Sequence, residues 1–256
     1  MSEQSAPDPQ NNPNDAKKDP GCRGKIAIAR ALHALDDWEE RVFVSGLTIV
    51  QLEGFDRSDT AAELRGVCGL AHAHFARPDA LDVLADLLAD PERVTRVAAA
   101  QGLGDAGRRD ATALLRFKLH TGDPEGEVLS ACVESLLSLG KDEVVPFVIG
   151  LLAEHDQRAE CAALALGGAR IASAYEALLA WANGCRPDQR YRVGYLALAL
   201  LRDDRATAEL LDAIRTRAKG DANAAARALA TFRDVPEIAD ALVAAMATRD
   251  DLDRLP

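Results

Sequence analysis

LALLRD at residues 198–203 and LATFRD at residues 229–234 are near-copies of one another, offset by 31 residues. A chain that repeats at about that period is a stack of helix pairs, because one pair cannot bury its own apolar face and needs neighbours on either side. Further copies follow once the period is known. PDALDVLADLLA (78–89) aligns with PEIADALVAAMA (236–247), and RALHALDD (30–37) aligns with RALATFRD (227–234). RVAAAQGLGDAG (96–107) followed by DATALLRFKL (110–119) has one plan: a small-residue helix, a glycine-marked turn, then a second apolar helix. SLLSLGKDEVVPFVIGLLA (135–153) and LALGGARIASAYEALLAWA (164–182) repeat it. The count is roughly seven units of about 30–35 residues, with the first, around 24–54, the least regular, as terminal units of such stacks are.

Each unit obeys helix physics. Leu81, Leu84 and Leu88, and likewise Leu114, Leu115 and Leu119, recur at three- and four-residue steps and so share a stripe. Pro78, Pro146 and Pro236 mark expected starts of second helices, where the missing N–H costs nothing. Alanine runs at 98–100 and 224–226 favour helix and let first helices approach closely. No stretch alternates apolar and polar residues long enough for a strand, so no sheet is expected.

The pattern R-V-A-A-A-x-x-L-G-D-A-G-x-x-D-A-x-x-x-L at 96–115 resembles the HEAT repeat, in the short bacterial form known from phycobilin lyases. The resemblance covers about residues 24–250. It implies an all-α, right-handed α-solenoid whose second helices line a concave face, and it raises a bilin-lyase-type enzyme as one functional alternative. The sequence departs from the pattern at 126–156 and 157–188, which lack the Ala-Leu-Gly core in its usual form.

The domain reading is a disordered tail at 1–22, a solenoid at 23–251 and a short tail at 252–256. The tail SEQSAPDPQNNPNDAKKDPG is polar and proline-rich. It holds no apolar run of the secretory kind, and no later run of eighteen apolar residues follows, so a cytoplasmic protein without a membrane span is expected. Cys22, Cys68, Cys132, Cys161 and Cys185 are odd in number and never in a C-x-x-C pair, which reads as reduced thiols. Aromatics are only 4% of the chain, which points to an Ala/Leu/Val stack rather than to a large aromatic ligand cavity.

Three constellations touch on chemistry. Gly102-Leu-Gly104-Asp-Ala-Gly107 satisfies G-x-G-x-x-G, but it follows a helix instead of a strand, so the glycines read as helix-packing and turn residues and no nucleotide cofactor is expected. Cys68 and His72 are four apart and share a helix face with His74 nearby, yet no second cluster completes a metal site, and none is expected. Asp82, Glu176, Glu209 and Asp240 each stand two residues before an aligned leucine. They read either as helix-dipole carboxylates or as a negative stripe facing a partner.

Net charge is −11, which argues against a nucleic-acid partner. Charge is uneven along the chain: ten acidic residues against three basic between 123 and 176, then ten basic against six acidic between 186 and 233. Only the 186–233 section could hold a phosphate backbone. The favoured function is a non-catalytic scaffold whose second-helix face docks a protein through Asp82, Arg116, Glu176, Glu209, Asp212, Arg215 and Asp240.

Overall fold

The computed structural model describes residues 13–154 and 156–253 and divides the chain into two compact units, 1–140 and 141–256. In the first unit, α1 (Pro13–Lys18), α2 (Arg23–Ala34) and α3 (Glu40–Gly46) precede a small hairpin of β1 (Leu52–Glu53) and β2 (Ser58–Asp59). Then come α4 (Ala62–His74), α5 (Ala80–Leu87), α6 (Arg93–Asp105), α7 (Ala111–Thr121) and α8 (Gly126–Leu139). The first helices of the repeats stack on one another: α2 lies on α4, α4 on α6 and α6 on α8. Second helices fill the grooves between them, α5 against α4 and α6, α7 against α6 and α8.

The second unit contains α9 (Lys141–Gly150), α10 (Gln157–Gly168), α11 (Tyr175–Gly184), α12 (Pro187–Gln189), α13 (Tyr195–Leu201), α14 (Asp204–Thr216), α15 (Lys219–Ala230) and α16 (Pro236–Met246). Here α10 packs on α13 and α13 on α15, with α14 lodged between α13 and α15. A π turn at Arg190–Gly194 joins α12 to α13. Both units are stacks of helix pairs, the all-α solenoid architecture that the period requires.

Burial follows the two-layer logic. First helices are covered on two sides, so α4 buries nine of its residues and α15 eight. Alanine and glycine allow this because they keep the axes close. Gly167 shows how close: a Cβ there would lie 2.3 Å from the Ala197 carbonyl oxygen on α13. Second helices bury one stripe only, for example Leu84 and Leu87 on α5 or Leu210, Ala213 and Ile214 on α14.

The turn from first to second helix repeats as well. Asp36, Ala76, Gly107, Arg170 and Arg202 each take a left-handed conformation just past a first helix. Asp37 N–H reaches back to the Leu32 carbonyl and Asp36 N–H to that of His33, the paired bonds of a Schellman end. Arg77 and Ile171 close α4 and α10 in the same way. Because φ at Gly107 is +63° and a Cβ there would meet nothing within 4 Å, Gly107→Ala isolates backbone strain and is expected to cost about 1 kcal/mol in urea unfolding. Ala76→Gly, at φ +48°, is expected to change stability in the opposite direction.

Several expectations meet differences. The two-residue hairpin at 52–59 is the one sheet among the described residues; Gly54 and Arg57 take positive φ to turn it, and Asp59 ties it to α4. Pro236 does open α16 and Pro78 stands two residues before α5, but Pro146 lies inside α9. There it deletes one helical N–H bond, and the helix tightens into a 3-10 turn at Leu151–Glu154. Within the expected tail, Cys22 is fully buried and the Asp19 carboxylate accepts from the Gly24 and Lys25 amides, capping α2. Residues 1–12 and 254–256 lie outside the described residues.

Candidate docking face of the second helices

The stacking layer is locked by buried ion pairs that sequence reasoning missed. Asp59, Asp90 and Asp123 stand just before α4, α6 and α8, and each accepts from the backbone two residues on: Ala61, Glu92 and Glu125 respectively. Arg65 of α4 clamps Asp90 through Nε and Nη2 at 2.7 and 2.9 Å and holds Asp59 through Nη1 at 2.6 Å. Arg96 of α6 repeats the clamp on Asp123 at 2.8 and 3.0 Å, with Lys118 Nζ at 2.8 Å from the same carboxylate. Asp90, Arg96, Lys118 and Asp123 line an open cleft of about 500 Å³ beside Pro91 and Pro124. The signal was present as Asp-Pro-Glu at 90–92 and again at 123–125.

The Asp123 side chain is 1% exposed. Burial pushes its carboxyl up, but the bonds from Arg96, Lys118 and the Glu125 amide outweigh burial and hold it at about 2. A carboxyl lower in the folded chain than in the unfolded one stabilises above its ordinary value of about 3.9 and loses that contribution as pH falls through the folded value. The stability gap between the parent chain and Asp123→Asn is therefore expected to narrow by about 2 kcal/mol between pH 4 and pH 2, read by denaturant titration at each pH.

With the first helices engaged in stacking, the polar faces of second helices remain open. Asp82 on α5 and Arg116 on α7 are exposed in the first unit. In the second unit Glu176 on α11, Asp212 and Arg215 on α14, and Asp240 on α16 are exposed. Glu209 is different: it is half-buried, and Arg217 Nη2 holds it at 2.7 Å. The carboxylates of the second unit do not form an uncompensated negative stripe, because Glu176 stands in the field of Arg205, whose guanidinium lies 4.4 Å over the Tyr175 ring. The face is a mosaic of both signs.

The basic section at 186–233 is also internally compensated. Arg190 pairs with Asp221, Arg192 with Glu160, Arg205 with Asp203, Arg217 with Glu209 and Lys219 with Asp253. At the π turn, Tyr195 Oη donates to Asp221 at 2.6 Å and Tyr191 Oη at 3.1 Å, so one buried carboxylate gathers two phenols and a guanidinium. Burial, with the hydrogen bond to Asp221, pushes the Tyr195 phenol up to about 12.

The other two constellations resolve into packing. Gly102 and Gly104 lie inside α6, where a Cβ would meet Leu84 at 2.7 Å and Ser135 at 2.7 Å, and Gly107 makes the turn. The Cys68 thiol is buried against α3 and desolvation pushes it up to about 12. His72 is buried, its Nδ1 2.8 Å from the Cys68 carbonyl and its ring edge-on to Trp38, whereas exposed His74 meets Asp36 at 2.6 Å. The three side chains thus diverge to separate partners. All five cysteines are buried. Among the described residues no helix is long and apolar enough to cross a membrane.

No curated protein matches the chain. Among solved structures, the complex of CpcE and CpcF of phycocyanin lyase from Nostoc sp. PCC7120 is similar at 19% identity over 97% of this chain and 98% of that one, with a TM-score of 0.42. The family profile for HEAT repeats matches residues 81–167, from α5 to α10, so on that stretch the resemblance carried by RVAAAQGLGDAG is shown.

Proposed function

We propose that the chain is a non-catalytic protein-binding scaffold whose contacts are made by the exposed faces of second helices. The observation that carries this reading is the division of labour between layers: inner first helices such as α4 and α8 are buried on two sides, while second helices keep a charged face that no other described part of their unit covers. Asp82 and Arg116 serve in the first unit, and Glu176, Asp212, Arg215 and Asp240 in the second, with Glu209 and its partner Arg217 setting the position of the α14 face. Mixed signs on such a face govern encounter rate and partner choice more than they add affinity.

The alternative, a nucleic-acid module built on 186–233, is disfavoured by the pairing of that section. At least five of its ten cations are engaged by carboxylates of the same chain, and releasing them to phosphates would strand those acids. Affinity of the full chain for the protein it captures from its source cell, measured against salt, tests the proposal. Binding is expected to weaken by roughly tenfold as salt rises from about 0.05 to about 0.5 M, because exposed charges set the encounter. Salt-independent binding would contradict a charge-specified face.

A further inference from the structure

Three of the chain's five histidines meet where α2 and α4 end, together with several of its few aromatic residues. His33 stands in the last turn of α2, and His72 and His74 in that of α4. The His33 and His74 rings touch edge to face with centroids 4.8 Å apart, and both lie against Phe75, at 6.5 and 4.9 Å. Behind them Trp38 stacks on Phe43 at 5.0 Å and takes the His72 ring edge-on, with the Arg77 guanidinium 4.7 Å over its face. His33 is thus part of the contact by which α2 sits on α4.

Two imidazoles in ring contact charge together only at a cost, unless each has its own counter-ion. One carboxylate is already engaged: His74 Nε2 donates to Asp36 Oδ1 at 2.6 Å. Asp105 of α6 also acts on His33, the Arg30–Glu63 pair spans the same α2–α4 contact one turn earlier, and α3 brings the uncharged Phe43 to the cluster. Burial lowers the His33 imidazole below its ordinary value and His74 lowers it further, while Asp36 and Asp105 offset only part of this. A histidine lower in the folded chain than in the unfolded one, where it titrates at about 6.5, leaves the folded chain holding fewer protons. It therefore costs nothing above that value and takes stability away as pH falls through it.

We infer that the contact between α2 and α4 is a proton-sensitive joint: in mild acid His33 charges beside His74, and α2 loosens from the rest of its unit. Helix α2 suits such a device because it is lightly held. It buries only Ile26 and Ala29, against nine residues on α4, so a change at one contact shifts its local opening without unfolding the stack. The joint lies between first helices and is separate from the second-helix faces proposed above, so either reading can fail alone.

The test is amide hydrogen exchange of the full chain at about pH 7.5 and about pH 5.5, expressed as protection over the intrinsic rate at each pH. Protection of α2 is expected to fall by about twofold or more on acidification, while that of α13, which carries no histidine, stays constant. His33→Phe keeps a ring that cannot charge and His33→Gln removes the ring as well; both are expected to abolish the fall. Asp36→Asn takes the counter-ion from His74 and is expected to enlarge it. Nuclear magnetic resonance of the His33 ring in the parent chain supplies a measurement that needs no variant, with a midpoint expected below about 6.5. Protection of α2 that is equal at both pH values overturns the inference, as does a fall that persists in both His33 variants or disappears in Asp36→Asn. A His33 midpoint at or above about 6.5 overturns it as well.

Discussion

Replacing Arg65 with alanine is expected to lower the free energy of unfolding by about 3–5 kcal/mol, among the largest losses a single substitution causes in this chain. The Arg65 side chain is 4% exposed and serves two carboxylates at once, those of Asp59 at 5% and Asp90 at 8%. Removing the guanidinium leaves both acids buried with backbone amides but no cation, and the cost of that desolvated charge dominates the loss of the bonds themselves. The same physics predicts a rescue. Adding Asp59→Asn and Asp90→Asn to an Arg65→Met chain keeps an oxygen for each capped amide and removes the stranded charge. The triple variant is expected to be more stable than Arg65→Met alone by at least about 1 kcal/mol in urea titrations. A triple variant weaker than the single one would show that the clamp acts through shape rather than charge.

Gly167→Ala is expected to destabilise by about 1–3 kcal/mol, against the helix propensity that favours alanine. The added Cβ would lie 2.3 Å from the Ala197 carbonyl oxygen and 3.1 Å from Leu200 Cβ. The first neighbour is backbone of a stacked first helix, so relief requires α10 and α13 to separate. The adjacent residue supplies the control. Gly168 is on the same helix but a Cβ there would meet nothing within 4 Å, so Gly168→Ala is expected to stabilise by up to about 1 kcal/mol. Thermal or urea unfolding of the two variants side by side should move in opposite directions, and movement in one direction would mean that propensity, not interhelix distance, decides.

The period and apolar steps were legible because they repeat: alignment of LALLRD with LATFRD placed α13 and α15, and the two copies touch, Arg202 lying 5.2 Å over Phe232. Their ends nonetheless differ, since Arg202 takes a left-handed turn whereas the second copy closes through successive turns at 231–234. The glycines of 102–107 were read from context alone, because a G-x-G-x-x-G after a helix has no free amides to offer a phosphate. Arg65 and Arg96 were not recognised as core residues. An arginine in an alanine-rich helix reads as solvent-facing, and only the recurring Asp-Pro-Glu turns mark its partner one repeat away. Pro146 misled for a related reason: proline marks a helix start by statistics, but neighbouring packing can hold one inside a helix. The seven residues proposed to meet a partner lie off the apolar stripe of their helices, a pattern that locates positions on second helices but does not reveal that Arg217 takes up Glu209.

The most direct test of the scaffold reading is the affinity of the full chain for its captured protein, and for duplex DNA at moderate salt, with each charge set reversed in turn. The acidic set is Glu176→Lys, Asp212→Lys and Asp240→Lys, all exposed positions whose reversal should leave unfolding nearly unchanged. The basic set is Arg190→Glu, Arg192→Glu, Arg215→Glu and Arg217→Glu. The acidic set is expected to weaken the protein complex by at least about a hundredfold, roughly 2.7 kcal/mol, while DNA is not bound by any form. Unchanged protein affinity in the acidic set, or DNA binding by the parent chain that the basic set abolishes, would contradict it.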